Sequence, residues 1–201
     1  MKCKILEKAG EMFLTFGFKS VTMDDIADEL GISKKTIYAN YKNKTVLIEE
    51  ATMSLFEMIS HGIDCICELE KNPIEELFEI KNFIHTNLKD EKSSPHYQLQ
   101  KYYPTIFHTL KMRQLELMDS CVKQNLNRGV TLGLYRKEID LDFISRIYFI
   151  GVTGIKDEET FPNNQFEKRH LTNCFLNYHI RAIATEKGKQ KLEKLLLKNE
   201  K

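Results

Sequence analysis

The sequence predicts an all-α protein with an N-terminal three-helix domain that contains a helix-turn-helix, followed by a larger C-terminal helical domain. Apolar residues recur at helical spacing along nearly all of the 201 residues. No segment shows the alternating pattern of a strand. Near residue 31, a glycine separates two short helical segments, and this spacing predicts the helix-turn-helix. We place the domain boundary between residues 1–47 and 48–201.

The composition is that of an ordinary globular protein, with 42% hydrophobic and 29% charged residues. The formal net charge is only +1, so bulk charge by itself does not indicate a nucleic-acid partner. The five cysteines are scattered, and the charged N-terminus lacks the apolar core of a signal peptide. We therefore expect reduced thiols in a cytoplasmic protein. No apolar run reaches the roughly 18 residues of a membrane span, so we expect no membrane partner.

The first three predicted helices are short and have clear ends. Residues 2–16 carry one apolar face, and Gly17 ends that helix. Thr22 caps the second helix, and Asp25 completes a capping box. Gly31 ends the second helix because glycine adopts the left-handed conformation without steric cost. Ser33 then caps a third helix over residues 34–41.

Two further positions fit the crossing of the second and third helices. Ala27 is small, which lets the helices approach closely, and Ile37 is apolar and fills the space beneath the crossing. The region around the third helix is also basic. Between residues 34 and 44 it has lysines and no acidic residue. A local basic face on a neutral protein is what a salt-sensitive DNA contact needs.

The remaining predicted helices follow in order, with boundaries set by caps and by proline. Asn43 begins a long fourth helix, Asn72-Pro73 starts the fifth, and Asp140 caps the eighth. We expect a polar loop at 89–95 and a turn segment over 129–140. The eighth helix has almost no polar face, so it should be buried on several sides. The predicted ranges are 44–69, 73–88, 97–103, 105–128, 140–155, 165–184 and 187–198.

The block Gly17 to Leu47 resembles the DNA-binding domain of the TetR family of bacterial transcriptional regulators. The resemblance covers about a quarter of the chain. It rests on the following residues: Gly17, Phe18, Thr22, Asp25, Ile26, Ala27, Ser33, Thr36, Tyr38, Tyr41, Lys44 and Leu47.

The resemblance implies a homodimeric repressor that pairs through the helices near 140–155 and 165–184. It also implies a small-molecule effector in the C-terminal domain, whose binding tilts the fourth helix and lowers DNA affinity. Two-fold symmetry would place two recognition helices in successive major grooves of a palindromic operator, about 34–36 Å apart or somewhat more.

The residues predicted to contact DNA have lysine ammonium groups, hydroxyl groups and one side-chain amide. We expect Lys35 and Thr36 near base edges, because major-groove edges carry the sequence information. Contacts to phosphates fix register without reading sequence. The full predicted set is Thr22, Ser33, Lys34, Lys35, Thr36, Tyr38, Asn40, Tyr41 and Lys44. A solvated lysine face with ordinary helix caps is the alternative.

An effector pocket would have mostly apolar walls with a few hydroxyls. The candidates are Phe78, Phe83, Tyr97, Tyr102, Tyr103, Phe107, Leu115, Met118 and Phe149. The alternative for each is an ordinary core position.

We find no catalytic motif, so we expect no enzymatic activity and no cofactor. His61 and Cys65 lie four residues apart, but zinc needs three or four convergent ligands, and we predict no metal site.

Two other functions stay open: a helical interaction module that keeps the fold but lacks a specific operator, and a helical enzyme with an unrecognised site. The first would act through its apolar C-terminal surface. Salt-dependent binding to random DNA would separate it from a regulator.

Overall fold

The computed structural model describes residues 1–88 and 95–199. Within these ranges the chain forms ten α-helices, and the predicted all-α fold is confirmed. The predicted polar loop at 89–95 lies outside the described residues except for Pro95, the first residue of α6. The helices are α1 Lys2–Phe16, α2 Met23–Leu30, α3 Lys34–Asn40, α4 Lys44–Glu68, α5 Pro73–Asn87, α6 Pro95–Tyr102, α7 Pro104–Thr131, α8 Leu141–Gly154, α9 Lys168–Ile183 and α10 Glu186–Asn199.

The helices divide between two compact units. The first unit comprises Met1–His61 and Thr86–Arg113, and the second comprises Gly62–His85 and Gln114–Lys201. Three helices, α4, α5 and α7, therefore contribute residues to both units. The functional boundary between residues 47 and 48 stays a prediction. No described helix combines the length and the apolar character that a membrane crossing requires.

The first unit is built around side chains that α1 to α4 bury together. Ile5, Phe13, Ile26 and Ile37 are all fully buried in one apolar cluster. Such burial contributes roughly 1.5–3 kcal/mol for each large aliphatic or aromatic side chain. The short helices α2 and α3 thus depend on this shared core, because isolated helices of their length are not stable in water.

The second unit contains a buried polar network at the start of α5. The Glu76 carboxylate is almost completely buried and forms an ion pair with Arg128 of α7. Asn125 Nδ2 donates to Glu76 Oε1 and to the Pro73 carbonyl, both at 2.8 Å. The Tyr135 hydroxyl donates to Asn125 Oδ1 at 3.1 Å. A buried carboxylate is tolerated only when it is paired and hydrogen-bonded in this way.

The predicted turn segment at 129–140 begins three residues later than expected, because Gly129 lies inside α7, which ends at Thr131, whereas residues 132–140 are non-helical. A Cβ at Gly129 would lie 2.0 Å from the Tyr135 ring, so glycine is needed for close packing. The chain turns later, at Gly133, which has a φ of 67°. A glycine required by packing and one required by a left-handed turn look alike in a sequence.

The described chain does not bury α8 on several sides. Its cap is as predicted: Asp140 Oδ1 accepts from the Phe143 N–H at 3.0 Å. Phe149 is buried, but Phe143 and Ile150 are 59% and 60% exposed, and Ile147 is exposed as well. An apolar face of this kind is unusual on a monomer and typical of an interaction surface.

Candidate nucleic-acid interface

The start of α2 is fixed by a reciprocal capping box. Thr22 Oγ1 accepts from the Asp25 N–H at 3.1 Å, and Asp25 Oδ2 accepts from the Thr22 N–H at 2.7 Å. The hydrogen bond from the Thr22 N–H, followed by the interaction with the Thr22 side chain, lowers the pKa of Asp25. Asp25 is therefore ionised at neutral pH, where it also complements the positive end of the α2 dipole.

The turn between α2 and α3 has the predicted left-handed glycine. Gly31 has φ 63° and ψ 33°, and its N–H donates to the Asp28 carbonyl at 3.0 Å. The Ile32 N–H donates to the Ala27 carbonyl, also at 3.0 Å. These two bonds satisfy the last carbonyls of α2 and set the direction in which α3 leaves.

The short helix α3 is capped at one end and anchored through its middle. Ser33 Oγ accepts from the Thr36 N–H at 3.1 Å and lies 2.9 Å from Thr36 Oγ1. Ile37 is fully buried, and Ala27 of α2 is buried with it in the same cluster. Because one face of α3 is committed to the core, the opposite face points to solvent.

That outward face carries the predicted cations and polar groups. Lys35 and Tyr38 are exposed, whereas Thr36 and Asn40 are half-buried. Asn40 Nδ2 donates to the Thr36 carbonyl at 2.8 Å, which leaves its side-chain oxygen as an acceptor. Hydroxyl, amide and ammonium groups thus stand together on one accessible surface.

Two cations next to this face are held by specific partners. The Lys34 ammonium lies 2.7 Å from the Asp24 carboxylate, whose hydrogen bond raises the pKa of Lys34. The Lys44 ammonium is half-buried and donates to the Lys19 carbonyl at 3.3 Å. Burial lowers the pKa of Lys44, and the nearby Asp25 carboxylate opposes that shift.

Tyr41 does not belong to the outward face, and its predicted DNA contact is corrected. Its side chain is 1% exposed and lies in the first unit's core. The Tyr41 hydroxyl donates to the Lys2 carbonyl at 3.5 Å, and the Lys2 ammonium lies 5.3 Å from the ring centroid. Burial raises the pKa of Tyr41 to about 12. The ring therefore holds the end of α3 against α1.

Sequence reasoning missed the partners of these lysines. Asp24 and the Lys19 carbonyl each fix a cation beside α3, but both lie in earlier elements. The available signal was the acidic first turn of α2, which contains Asp24 and Asp25. Pairing between different helices has no fixed sequence spacing, unlike the i,i+4 rule within one helix.

Comparison with known proteins explains this arrangement. A sequence model of the family described as "Bacterial regulatory proteins, tetR family" matches residues 5–51, which span α1 to α3 and the start of α4. The N-terminal segment is therefore that of a TetR-type DNA-binding domain, and the comparisons support a DNA-binding transcriptional regulator.

Relatives of this chain extend the similarity beyond the matched region. The chain is 23% identical over 150 residues to the transcriptional repressor KstR2 of Mycolicibacterium smegmatis, covering 71% of each protein. It is 26% identical over 185 residues to the uncharacterized regulator YdeS of Bacillus subtilis, covering 85% of this chain and 86% of YdeS.

Solved structures of TetR-family regulators share the fold. The regulatory protein TetR from Rhodobacter sphaeroides superposes with a TM-score of 0.74 at 15% identity, covering 90% of this chain and 98% of that one. The ketosteroid transcriptional regulator KstR2 of Mycobacterium tuberculosis gives a TM-score of 0.58 at 20% identity, with coverage of 92% and 95%.

The predicted pocket residues are divided between the two units. Tyr97 and Tyr102 lie exposed in the first unit, where the Lys101 ammonium stands 5.3 and 5.6 Å from their ring centroids. Tyr103 and Phe107 pack against the first unit's core. The remaining five lie in the second unit: Phe78, Phe83, Leu115, Met118 and Phe149.

The second unit contains two cavities with mixed linings. The first has a volume of about 310 Å³ and is lined by Cys67, Glu70, Glu76, Cys121, Gln124, Asn127 and Arg128. The second has a volume of about 390 Å³ and is lined by Phe78, Lys81, Asn82, Arg169, His170, Asn173, Cys174, Asn177 and Leu196. Of the nine predicted pocket residues, Phe78 is the one that lines either of these two cavities.

Proposed function

We propose that this chain is a homodimeric, cytoplasmic transcriptional repressor that reads a palindromic operator with α3. The observation that carries the proposal is the division of α3 into two faces. Ile37 is fully buried, while Lys35 and Tyr38 project into solvent on a stretch that has no acidic residue. We propose no enzymatic activity, in keeping with relatives that are named as transcriptional regulators.

The proposed contacts divide between bases and phosphates. Lys35 and Thr36 read base edges in the major groove, where donor and acceptor patterns differ between base pairs. Tyr38 and Asn40 contact phosphates, which position the helix. The caps Thr22 and Ser33 stand exposed beside the same face and contribute to phosphate binding.

Lys34 and Lys44 differ in the contacts that they make in the free protein and would have to exchange for a phosphate. Lys34 exchanges its surface partner Asp24 for a phosphate, and both groups of that pair are more than half exposed. Lys44 is held against the Lys19 carbonyl and is partly desolvated. The Lys44 ammonium cannot move far without losing that bond. We propose that it contacts a DNA phosphate from its present position.

The exposed apolar face of α8 supports the dimer. Phe143, Ile147 and Ile150 on α8, together with Tyr178 on α9, are all exposed in the single chain. Burying such side chains against a second copy is favourable by about 25 cal/mol per Å² of apolar surface. Two-fold pairing through α8 and α9 would give the assembly two copies of α3, which is what a palindromic operator requires.

We further propose that a small effector binds in the C-terminal domain, residues 48–201, and lowers operator affinity. The 390 Å³ cavity beside Phe78 is the candidate site. Lys81 and Arg169 line it without a carboxylate among the lining residues. Burial, and then the charge of Arg169, lower the pKa of Lys81. An effector with an apolar body and an anionic group would relieve this repulsion between cations.

The proposal is tested by selecting bound DNA from a random pool, followed by titration of the recovered sequence. We expect enrichment of an inverted repeat, with affinity that falls as salt rises. Recovery of no shared sequence would favour the interaction module. A thermal-shift screen of carboxylate and phosphate amphiphiles tests the effector separately, since a ligand that binds only the folded protein raises its melting temperature.

A further inference from the structure

Two thiols of the second unit lie against each other. Cys67 is on the last turn of α4, and Cys121 is in the middle of α7. Each thiol is close enough to influence the pKa of the other, and both are half-buried. They also line the same 310 Å³ cavity, so a small solute can reach them from solvent. Neither thiol has a part in the proposed function.

The groups around the pair make the two thiols chemically different. The hydrogen bond from Cys67 is the largest influence on Cys121, and it lowers the pKa of the Cys121 thiol. The same bond, followed by burial, raises the pKa of Cys67. Of the two thiols, Cys121 is therefore the one that ionises more readily, although burial and the Asp64 and Glu76 carboxylates oppose the lowering of its pKa. The Arg128 guanidinium in the cavity wall lowers the pKa of Cys67.

The backbone at this point sets Cys67 in place. The Glu70 N–H donates to the Cys67 carbonyl at 3.1 Å, and Glu70 has a φ of 45°, which is unusual for a residue other than glycine. Pro73 then begins α5, and its carbonyl accepts from Asn125 of α7 at 2.8 Å. The Pro73–Asn125 bond thus ties the start of α5, which follows α4, to α7.

We propose that Cys67 and Cys121 form a redox-active dithiol that a peroxide converts into an intramolecular disulfide. The Cys121 thiolate attacks one peroxide oxygen and the O–O bond breaks, so that the sulfur becomes a sulfenic acid. The departing hydroxide takes up the proton that the Cys121 thiol released and leaves as water. Cys67 Sγ then attacks the sulfenic sulfur, and the second water leaves. Overall, two thiols and one hydrogen peroxide give one disulfide and two waters.

The other cysteines do not offer this chemistry. Cys3, Cys65 and Cys174 are exposed, and none of them lines the cavity. In a reducing compartment, disulfides that form are transient and are usually redox-sensing or catalytic. The Cys67–Cys121 bond should accordingly be reversed by a dithiol reductant.

The test uses the full chain, reduced, desalted, treated with hydrogen peroxide and then blocked with an alkylating reagent. Trypsin leaves Cys65 and Cys67 together in peptide 45–71 and Cys121 in peptide 114–123. We expect non-reducing mass spectrometry to find these two peptides joined, with the loss of two hydrogen atoms. Dithiothreitol should separate them.

Single substitutions assign the bond and provide the matched control. Cys67→Ser and Cys121→Ser should abolish the joined peptide, whereas Cys65→Ser, two residues away on the same helix, should keep it. Unchanged melting curves of the reduced variants show that each folds. Loss of the joined peptide in Cys65→Ser, bonds only between separate chains, or a Cys121 sulfinic acid without a cross-link would overturn the proposal.

A second measurement tests the hydrogen bond directly. Alkylation of Cys121 at neutral pH should slow in Cys67→Ala, because the donor that stabilises the thiolate is gone. Cys67→Ser keeps a hydroxyl donor and should retain fast alkylation. Equal rates in wild type, the alanine variant and the serine variant would contradict the assigned roles of the two thiols.

Discussion

The Lys34 ammonium lies 2.7 Å from the Asp24 carboxylate, so the first cation of α3 is paired with the first turn of α2. Both side chains are more than half exposed. A pair of this kind contributes about 0–1 kcal/mol, because water and salt screen it. A DNA phosphate can therefore replace Asp24 as the partner of Lys34.

Asp24→Asn should strengthen binding to random DNA by removing the carboxylate that competes with phosphate for Lys34. If Lys34 gains a full phosphate contact, the slope of log affinity against log salt should become more negative by about 0.9 for each subunit. Fluorescence anisotropy over a range of salt concentrations measures both effects. The control is Glu116→Gln, on the exposed surface of α7, which also removes one negative charge. Identical slopes for the two variants would show that Asp24 does not restrain Lys34.

The two glycines at positions 31 and 10 should respond to alanine in opposite directions. Gly31 is in the left-handed conformation, so Gly31→Ala should destabilise the chain by about 1–2 kcal/mol. Gly10 lies within α1, and a Cβ there meets nothing within 4 Å, so Gly10→Ala should stabilise by roughly 0.5–1 kcal/mol. Urea unfolding gives both values. Equal effects would contradict the conformational account of the turn.

Local features near α2 and α3 were predictable because each depends on neighbours in sequence. The Thr22 and Ser33 caps, the Gly31 turn and the burial of Ile37 follow from capping chemistry and helical periodicity. The Lys34–Asp24 pair and the burial of Tyr41 were not predictable. They depend on how α2 and α1 cross α3, which no fixed sequence spacing encodes.

In the second unit, features that depend on local sequence were again predictable, and contacts between distant residues were not. The Asp140 cap and the proline at the start of α5 were read correctly from local sequence. The role of Gly129 was not predicted, because the side chain that packs against it is the ring of Tyr135, which lies after the turn. Most of the aromatic residues proposed for a pocket do not line the two cavities. Periodicity identifies a buried face, but it does not distinguish filled core from cavity wall.

Stability should depend on pH through His179, which is buried on α9 beside Tyr148 and Phe175. Burial lowers the pKa of His179 from 6.5 to about 4. Between these values the unfolded chain binds the extra proton, so the free energy of unfolding should fall as pH decreases from about 6.5 to about 4. The loss attributable to His179 should be up to about 3 kcal/mol.

The variant His179→Phe isolates that contribution, because it keeps an aromatic ring and removes the titrating group. Urea unfolding at a series of pH values should show the wild type losing stability relative to the variant as the solution becomes more acidic. A difference between the two proteins that is independent of pH would mean that His179 does not titrate differently on unfolding.

Introducing a charge on the exposed face of α8 should break the proposed dimer. Ile150→Glu places a carboxylate where we propose that a second copy packs, and an unpaired buried charge is strongly unfavourable. Sedimentation velocity should change from dimer to monomer. Leu132→Glu, at an exposed position after α7, should remain dimeric. A monomeric wild type, or a dimeric Ile150→Glu, would refute this interface.

The most direct measurement compares operator binding by Lys35→Ala and Lys137→Ala. Both lysines are exposed, and both variants lose one positive charge, but only Lys35 stands on α3. The operator is the sequence recovered by selection, and random DNA of equal length is the reference. We expect Lys35→Ala to lose about 1–3 kcal/mol of discrimination between the two DNAs and Lys137→Ala to match the wild type. Equal discrimination by all three proteins would contradict the assignment of α3 as the helix that reads DNA.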